Sequence, residues 1–276
     1  MCDALTAFLA RLPSEGTFSV WYGPVAGEPW LTHDADARHY AASTMKLPLL
    51  VAAYRAADRG DLDLDREVVV RRDFTSVAYG TPFAMKQEYD NDAQPWELVG
   101  RTTSLRWLLR RAIVSSSNLA TNLALEHVGF AEVAAALAAL DCRDSVVARG
   151  IEDAAAAEAG VTNLVTARDL ARILQALAAG RAASAPSCEE MLATLRAQEI
   201  NDALPAGLPA GTRVAHKSGW VEGVSHDAAL VEPTDGDPFV LVVLTTSELT
   251  EGAALDLIAD GAAAAWSDWS RRERAT

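Results

Sequence analysis

Apolar residues recur along this chain with two periods, one typical of helices and one typical of strands. Within residues 44–59, Leu47, Leu50 and their apolar neighbours fall three or four positions apart, as on one face of a helix. Within residues 17–22, polar and apolar side chains alternate, and a turn with Gly and Pro separates them from residues 30–33. These patterns predict a helix in the first segment and a β-hairpin in the second.

The same two periods predict the order of elements along the whole chain. The helical period predicts helices at residues 3–12, 44–59, 104–114, 118–128, 131–140, 167–179 and 251 to about 269. The alternating period predicts strands at residues 17–22, 30–33, 213–217, 227–231 and 239–245. Residues 72–103 carry several Gly and Pro among polar residues and are predicted to be mostly loop.

Strands near both ends of the chain, with helices between them, predict a mixed α/β fold. We expect one antiparallel sheet that is built from both chain ends and flanked by helices, with an all-helical lobe inserted into it. Residues 1–276 then form a single unit, with a sheet lobe at about 1–42 and 205–276 and a helical lobe at about 43–204.

Composition and charge restrict the class of partner. Hydrophobic residues make up 50% of the chain and charged residues 22%, as in ordered globular proteins. The net charge of -14 argues against a nucleic acid, which binds to basic surfaces. The N-terminal residues lack the basic leader of a signal peptide, and no apolar run is long enough to cross a bilayer. We therefore expect a cytoplasmic protein without a membrane partner and, by default, a monomer.

Cysteine and histidine usage argues against disulfides and metal ions. Cys2, Cys142 and Cys188 are few, odd in number and far apart, and none belongs to a CxxC pair. The histidines are scattered without the spacing of metal ligands. We therefore predict no metal site and no cofactor, and a reducing compartment fits this cysteine usage.

Lysine is rare here, with three lysines against twenty-one arginines, and two of the three lie in short motifs. An ammonium can lose its proton when it is desolvated, whereas a guanidinium cannot, so a lysine kept among arginines suggests a base. In Ser43-Thr44-Met45-Lys46 the hydroxyl and the amine share one helix face, so Lys46 can take the proton of Ser43. By itself the SxxK spacing is weak evidence, because it often marks only an exposed helix start.

Two further motifs offer chemistry that matches the first. The triplet from Ser116 to Asn118 places a hydroxyl two positions before a carboxamide, although both residue types are also ordinary helix caps. Lys217-Ser218-Gly219 closes a predicted strand and offers a cation, a hydroxyl and a glycine that allows close approach of the backbone. The alternative for Lys217 is an edge-strand lysine that discourages aggregation.

The order SxxK, SxN, KSG is much more specific than any one motif. It resembles the penicillin-recognising serine enzyme superfamily, and specifically the class A β-lactamase-like serine hydrolases. The resemblance covers nearly the whole chain, and Asn122 also matches the pattern of the family. It implies a β-lactamase/transpeptidase-like fold and a small-molecule substrate, a β-lactam or a related amide or ester.

The resemblance also implies catalytic roles. Ser43 attacks the carbonyl and becomes acylated, with Lys46 as its base. Lys217 is a second cation that, together with burial, depresses the pKa of Lys46. Ser116 passes the proton to the leaving nitrogen, and Asn118 holds the side-chain amide of the substrate.

Substrate binding is implied for the strand that carries the third motif. Lys217 and Ser218 grip the carboxylate of the substrate, and Gly219 lets the backbone approach it. The backbone N–H groups of Ser43 and Trp220 form the oxyanion hole, which typically contributes a few kcal/mol to catalysis.

The chain departs from the family pattern at several positions. Ser117 stands where aspartate is usual, and Ser218 stands where threonine is common. Class A enzymes hydrolyse the acyl-enzyme with a loop glutamate and an asparagine four residues later, which together hold a water. The counterpart here is Glu152, but the position four after it is Ala156, which cannot orient a water. Acylation is therefore better supported than turnover.

Alternatives to β-lactamase-type hydrolysis follow from these departures. One is a cytoplasmic peptidase, esterase or acyltransferase with the same SxxK apparatus, and another is a non-hydrolytic member that binds its ligand as a sensor. His226-Asp227 suggests a serine triad, but adjacent strand residues point to opposite faces and the chain has no GxSxG elbow. We expect a turn or structural role for this pair.

Overall fold

Strands from both ends of the chain build the main sheet of the protein. The structure is a computed structural model that describes residues 4–274. Over these residues the strands are β1 Thr17–Pro24, β2 Leu31–His33, β3 His39–Tyr40, β4 Glu67–Val69, β5 Asp73–Thr75, β6 Pro82–Ala84, β7 Thr102–Ser104, β8 Leu164–Val165, β9 Arg213–Val221, β10 Val224–Glu232 and β11 Phe239–Thr246.

The main sheet has five antiparallel strands in the order β2-β1-β11-β10-β9. Strand β1 from the N-terminal part pairs with β11 from the C-terminal part, which confirms the predicted mixed α/β fold with one antiparallel sheet built from both ends. Strands β10 and β11 are buried on both faces, as their nearly unbroken apolar runs predict. Strand β9 forms one edge of the sheet.

Helices cover both faces of this sheet. The α-helices are α1 Ala4–Leu9, α2 Lys46–Asp58, α3 Ala93–Glu97, α4 Leu105–Val114, α5 Asn118–Val128, α6 Phe130–Ala139, α7 Ala154–Glu158, α8 Ala167–Ala178, α9 Ala185–Arg196 and α10 Glu251–Glu273. Short 3-10 helices lie at Ala42–Met45, Gln87–Tyr89 and Leu204–Gly207. Several helices begin at a side-chain cap; Ser117, for example, accepts a hydrogen bond from the N–H of Ala120.

The two faces of the sheet belong to two separate apolar cores. Ala228 and Val242 face the core that includes α2, α4, α5 and α8. Ala229 and Leu241, one position further along the same strands, face the core that α1 and α10 cover. This alternation follows from the two-residue period of a strand. At the edge of the sheet, the second half of β9 contacts the 3-10 helix Ala42–Met45, which carries the first motif.

Most predicted elements are present with small shifts at their ends. The helix predicted at 118–128 has those bounds, and the strand predicted at 213–217 continues to Val221. Helix α9 was not predicted. The helix predicted from residue 3 begins at Ala4 in the described range, and the segment 72–103 contains short strands and helix α3 within its loops. None of the helices in residues 4–274 is long and apolar enough to span a membrane.

Candidate active site

Ser43 lies on a tight turn just before α2. The 3-10 helix Ala42–Met45 leads directly into α2, and Thr44 Oγ1 donates to the carbonyl of Ala41 at 2.5 Å. The N–H of Ala41 donates to the carbonyl of Asn163 at 2.9 Å, which ties the turn to the segment before α8. Ser43 is half-buried and lines a cavity of about 450 Å³.

Backbone strain is concentrated around this turn and cavity. Of the five non-glycine residues with positive φ in the described part of the chain, three are Ala42 (43°), Ser116 (58°) and Glu152 (63°). Each such conformation costs about 1–3 kcal/mol and is commonly found at functional sites. Ala42 precedes Ser43, Ser116 begins the second motif, and Glu152 lies in the wall of the cavity.

Lys46 is buried beneath the turn and contacts the second motif. It is 1% exposed, and its Nζ donates to the carbonyl of Ser116 at 2.8 Å and to Asn118 Oδ1 at 3.0 Å. Burial lowers the pKa of Lys46 well below its usual value, and the charge of Lys217 lowers it further. The same nitrogen also donates to the Ser116 hydroxyl at 3.1 Å, so three oxygen atoms of the second motif surround it.

The structure thus brings Lys46, Ser116 and Asn118 together, as the sequence predicted. Among the described residues, however, no hydrogen bond joins Ser43 to Lys46, because the amine is bonded to Ser116 and Asn118 instead. The role of Lys46 as base for Ser43 stays a prediction. Catalytic hydrogen bonds often tighten only when substrate is present.

Lys217 is a second buried amine beside the first. It is fully buried in β9, and its Nζ donates to the carbonyl of Ser218 at 2.7 Å. Burial lowers the pKa of Lys217 to about 7, although the charge of Asp227 raises it in part. A charge on Lys217 disfavours a second charge on the buried amine of Lys46, so Lys217 favours the neutral form of Lys46.

Gly219 brings β9 against the Ser43 turn. A β-carbon at Gly219 would lie 2.6 Å from the backbone nitrogen of Ser43 and 2.9 Å from that of Thr44. Distances under 3.0 Å are not tolerated by real β-carbons, and both partners here are backbone atoms. The close approach of these two segments therefore requires glycine, whereas the sequence predicted only that Gly219 lets the backbone approach a ligand.

Asp90 fixes the second motif from a distant loop. Its carboxylate accepts five hydrogen bonds: from Ser117 Oγ (3.1 Å), Asn118 N (3.0 Å), Leu119 N (2.8 Å), Trp96 Nε1 (2.9 Å) and Asp92 N (3.2 Å). Three of these donors are at the N-terminal end of α5, where a carboxylate is favoured by the helix dipole. Asp90 therefore supplies the negative charge that Ser117 lacks.

The wall opposite this motif carries Ile151 and Glu152. Asn122 holds the backbone of Ile151 on both sides, since its Oδ1 accepts from Ile151 N and its Nδ2 donates to Ile151 O, both at 2.8 Å. Glu152 Oε2 accepts from the N–H of Lys86 at 3.2 Å, and its buried Oε1 has no hydrogen-bond partner. Burial raises the pKa of Glu152.

Two predicted binding residues differ in their access to the cavity. Trp220 lines it, and it also lines a neighbouring cavity of about 620 Å³ beyond the β9–β10 turn. Ser218 is 3% exposed, and its buried Oγ has no hydrogen-bond partner. The third motif thus presents Trp220 to the cavity, whereas Lys217 and Ser218 lie behind its lining.

The two histidines near the third motif in the sequence, His216 and His226, are bonded to other parts of the protein and have structural roles. His216 Nδ1 lies 3.0 Å from Asp227 Oδ1, and both side chains are fully buried. His226 Nε2 donates to the carbonyl of Tyr40 at 2.9 Å, while its Nδ1 accepts from the N–H of Thr245. The sequence neighbours His226 and Asp227 therefore have separate partners, as expected for a structural pair. No group of His, Cys, Asp and Glu in residues 4–274 has the arrangement of a metal site.

Sequence reasoning missed Asp90, Ile151 and Arg149. Asp90 lies in a polar loop with no fixed spacing to Ser117, so nothing in the sequence marks it as a partner of α5. Arg149 also lines the cavity, but it is one of twenty-one arginines, and its place three residues before Glu152 does not show that its side chain faces the cavity.

Comparisons with known proteins agree with this geometry. A family model described as "Beta-lactamase enzyme family" matches residues 3–269. The crystal structure of a β-lactamase from Sphaerobacter thermophilus DSM 20745 is 29% identical, with 97% of this chain and 95% of that chain covered and a TM-score of 0.79. An ancestral class A β-lactamase is 26% identical, with coverage of 96% and 98% and a TM-score of 0.80.

A third similar structure is that of PBP-A, which is 23% identical, with coverage of 97% and 96% and a TM-score of 0.79. At that identity the likeness concerns the fold alone. No curated protein matches the chain at a significant level.

Proposed function

The chain belongs to the β-lactamase enzyme family, and on that premise we propose that it is a serine hydrolase that forms an acyl-enzyme on Ser43. The substrate class is a β-lactam amide. The observation that carries this proposal is the buried amine of Lys46 in contact with Ser116 and next to a second buried amine. Such an arrangement favours a neutral lysine, which can act as a base near neutral pH.

Acylation begins when the Ser43 hydroxyl attacks the lactam carbonyl. Its proton passes to the neutral Lys46, whose Nζ lies 3.1 Å from Ser116 Oγ. Ser116 then donates its own proton to the leaving nitrogen and regains one from Lys46, so that the lactam C–N bond breaks and the ester on Ser43 remains. Lys217 supports this step by holding Lys46 neutral before the attack.

Negative charge on the carbonyl oxygen is stabilised at the junction of β9 and the Ser43 turn. We assign the oxyanion hole to the backbone N–H groups of Ser43 and Trp220, because Gly219 brings these two segments into contact. We assign binding of the substrate carboxylate to Ser218 and Lys217. An unpaired buried hydroxyl costs about 1–3 kcal/mol. Ser218 Oγ has no partner among the described residues, so it is available to donate to that carboxylate.

Deacylation is the slower half of the reaction in this proposal. Glu152 is the base for the incoming water, since it lines the cavity and its buried Oε1 has no hydrogen-bond partner in residues 4–274. Ile151, Ala154 and Ala157 line the cavity on the same segment as Glu152, and none of these three side chains can help to orient a water. The acyl-enzyme should therefore accumulate.

This apolar wall also favours a second candidate function. An acyl-enzyme that is protected from water can pass its acyl group to another nucleophile, as in an acyltransferase with the same SxxK apparatus. The two functions share Ser43, Lys46 and Ser116. They differ in the nucleophile that attacks the ester on Ser43, which is water in hydrolysis and another acceptor molecule in acyl transfer.

Intact-protein mass spectrometry after mixing with benzylpenicillin tests the proposal. We expect a mass increase equal to one penicillin within minutes, its absence in Ser43→Ala, and a slow return to the free mass. Glu152→Gln should lengthen the life of the adduct about tenfold or more, because the water loses its base. A Ser43→Ala protein that still gains the same mass would show that another residue is the nucleophile.

A further inference from the structure

Arg149 presents a positive charge to the cavity that Ser43 lines. It is the one cationic side chain among the lining residues in the described range, and it is half-buried at the start of the loop that carries Glu152. Its Nη2 donates to the Tyr40 hydroxyl at 3.0 Å, and its guanidinium lies 5.6 Å from the centre of the Tyr40 ring. Tyr40 therefore holds the guanidinium in a fixed position at the wall.

The guanidinium is not needed to close the loop. Asn163 does this through the backbone, because its Oδ1 accepts from the N–H groups of Ala148 and Arg149 at 2.8 and 3.0 Å. Its Nδ2 donates to the carbonyl of Arg149 at 3.0 Å. These three bonds fix the loop whatever side chain residue 149 carries.

Arg149 has no carboxylate partner in residues 4–274. Glu152 lines the same cavity three residues later, yet no ion pair joins the two side chains. A guanidinium has five N–H donors, and protein acceptors take two of them here, Tyr40 Oη and the carbonyl of Gly150. Nε is buried without a partner, so the fork of donors is incompletely satisfied by the protein.

We propose that Arg149 is a specificity residue that binds an anionic group on the acyl side chain of the substrate. The proposal rests on the proposed function, and it places the anion in the same cavity as Asn118, which is assigned to the side-chain amide. A guanidinium fork matches a carboxylate geometrically and makes charge-assisted hydrogen bonds to it. The Tyr40 hydroxyl beside it offers a further donor. In a protein with a net charge of -14, a local cation is what allows an anion to enter the cavity.

Two penicillins that differ by one carboxylate test this assignment. Benzylpenicillin has an uncharged acyl side chain, and carbenicillin has the same side chain with an added carboxylate. The readout is the ratio of their second-order rate constants for acylation of Ser43, carbenicillin over benzylpenicillin, measured by intact mass. Arg149→Gln should lower this ratio about tenfold, because one charge-assisted pair is lost for carbenicillin alone.

Two control variants separate this effect from loss of charge or of folding. Arg149→Lys keeps the charge without the fork, so it should retain part of the ratio. Arg181→Gln removes the same charge from an exposed arginine that does not line the cavity, so the ratio should stay at the parent value. If Arg149→Gln proves unstable, Arg149→Lys is compared with the parent instead, and a ratio equal to that of the parent overturns the role of the guanidinium fork.

Failure of this inference is distinguishable from failure of the proposed function. If both penicillins acylate Ser43 and Arg149→Gln leaves the ratio unchanged, the anion site is wrong and the function stands. If neither penicillin forms an adduct, the function fails. Calorimetric binding to Ser43→Ala then decides the anion site: tighter binding of carbenicillin that Arg149→Gln abolishes supports it, and equal binding of the two compounds overturns it.

Discussion

A lysine that acts as a base must be neutral at the working pH, and burial is how this fold makes it so. Lys46 and Lys217 are both buried, and neither forms an ion pair with a carboxylate within residues 4–274. Removing an unpaired ammonium from water costs several kcal/mol, so burial lowers the pKa of both amines, and the charge of Lys217 lowers that of Lys46 further. The neutral lysine base at this site therefore comes with a loss of folding stability.

Asp90 gives a prediction at the scale of single residues. Asp90→Ser should slow acylation of Ser43 by benzylpenicillin about a hundredfold, because Ser117, Asn118 and the first turn of α5 lose their shared acceptor. Ser117 Oγ lies 3.1 Å from the Asp90 carboxylate, so a carboxylate at residue 117 can occupy nearly the same space. Adding Ser117→Asp to Asp90→Ser should therefore restore most of the rate.

The rescue separates positioning from general stability. Ser117→Asp alone places two carboxylates side by side and should be slower than the parent. The thermal midpoint and the acylation rate are measured for all three variants. A double variant no faster than Asp90→Ser would contradict the role given to Asp90.

At the scale of single residues, the sequence predicted the two lysines of the site, which belong to a residue type that is scarce in this chain. It missed the residues whose importance depends on where they lie in the folded protein. Lys46 and Lys217 could be identified because lysine is scarce in the chain and each lies in a short motif. The contribution of Asp90 depends on contacts across 27 to 29 positions, and the unpaired state of Arg149 depends on Asn163 closing the loop in its place. Neither fact has a local signature in the sequence.

At the scale of elements, the contact between β9 and the Ser43 turn decides whether a catalytic centre forms. Gly219→Ala should reduce acylation of Ser43 at least a hundredfold, because the new β-carbon would meet two backbone nitrogens at 2.6 and 2.9 Å and push the segments apart. We expect the free energy of unfolding to fall as well, by about 1–3 kcal/mol. Urea unfolding and the intact-mass time course measure the two effects.

The chain offers a matched control for that substitution. Gly252 lies in the exposed first turn of α10, and a β-carbon there meets nothing within 4 Å. Gly252→Ala should leave acylation unchanged and stabilise α10 by up to about 1 kcal/mol. Equal acylation by the Gly219→Ala protein and the parent would show that the close approach is not required.

Elements with a clear hydrophobic period could be predicted from the sequence. Helix α9 was missed although it also has such a period. Helix α5 was predicted with its observed bounds because its apolar positions and its cap are local signals. Helix α9 has the same kinds of signal, a Ser184 cap, Pro186 near its start and buried residues at Cys188, Met191 and Leu195. The short strands β5, β6 and β7 carry no such period, and only their pairing defines them, that of β5 with β6 and that of β7 with β4.

At the scale of the whole molecule, two buried histidines join the sheet to the strand before Ser43. The rings of His39 and His226 are 5.3 Å apart in an edge-to-face arrangement. His39 contacts β1 and β11 through Ser19 and Thr246, and His226 in β10 donates to Tyr40. Burial lowers the pKa of His39 to about 3 and that of His226 to about 4.

These pKa values predict a loss of stability in mild acid. Between the unfolded pKa of 6.5 and the lower folded values, the unfolded chain binds two more protons than the native state at these positions. The free energy of unfolding should therefore fall as the pH is lowered from about 6.5 towards 4. His226→Gln removes one titrating group and should reduce this slope by one proton, or about 1.4 kcal/mol per pH unit. Urea unfolding between pH 4 and 7 measures it, and equal slopes in variant and parent would contradict the argument.

The architecture at this scale was largely readable from the order of elements, since strands at both ends with helices between them leave few arrangements. The proposed division into a sheet lobe and a helical lobe follows the same logic. The strand order and the stacking of His39 on His226 were not readable, because they depend on which faces meet after folding.

The central claim, a neutral amine at Lys46, can be measured directly because the chain has only three lysines. In protein labelled with ¹³C-lysine, the Cε signals of Lys46, Lys86 and Lys217 can be assigned by single substitutions and followed against pH. We predict that Lys46 shows the chemical shift of a neutral amine at pH 7 to 8, as burial and the charge of Lys217 require. A Lys46 signal that remains that of an ammonium up to pH 9 would contradict the account.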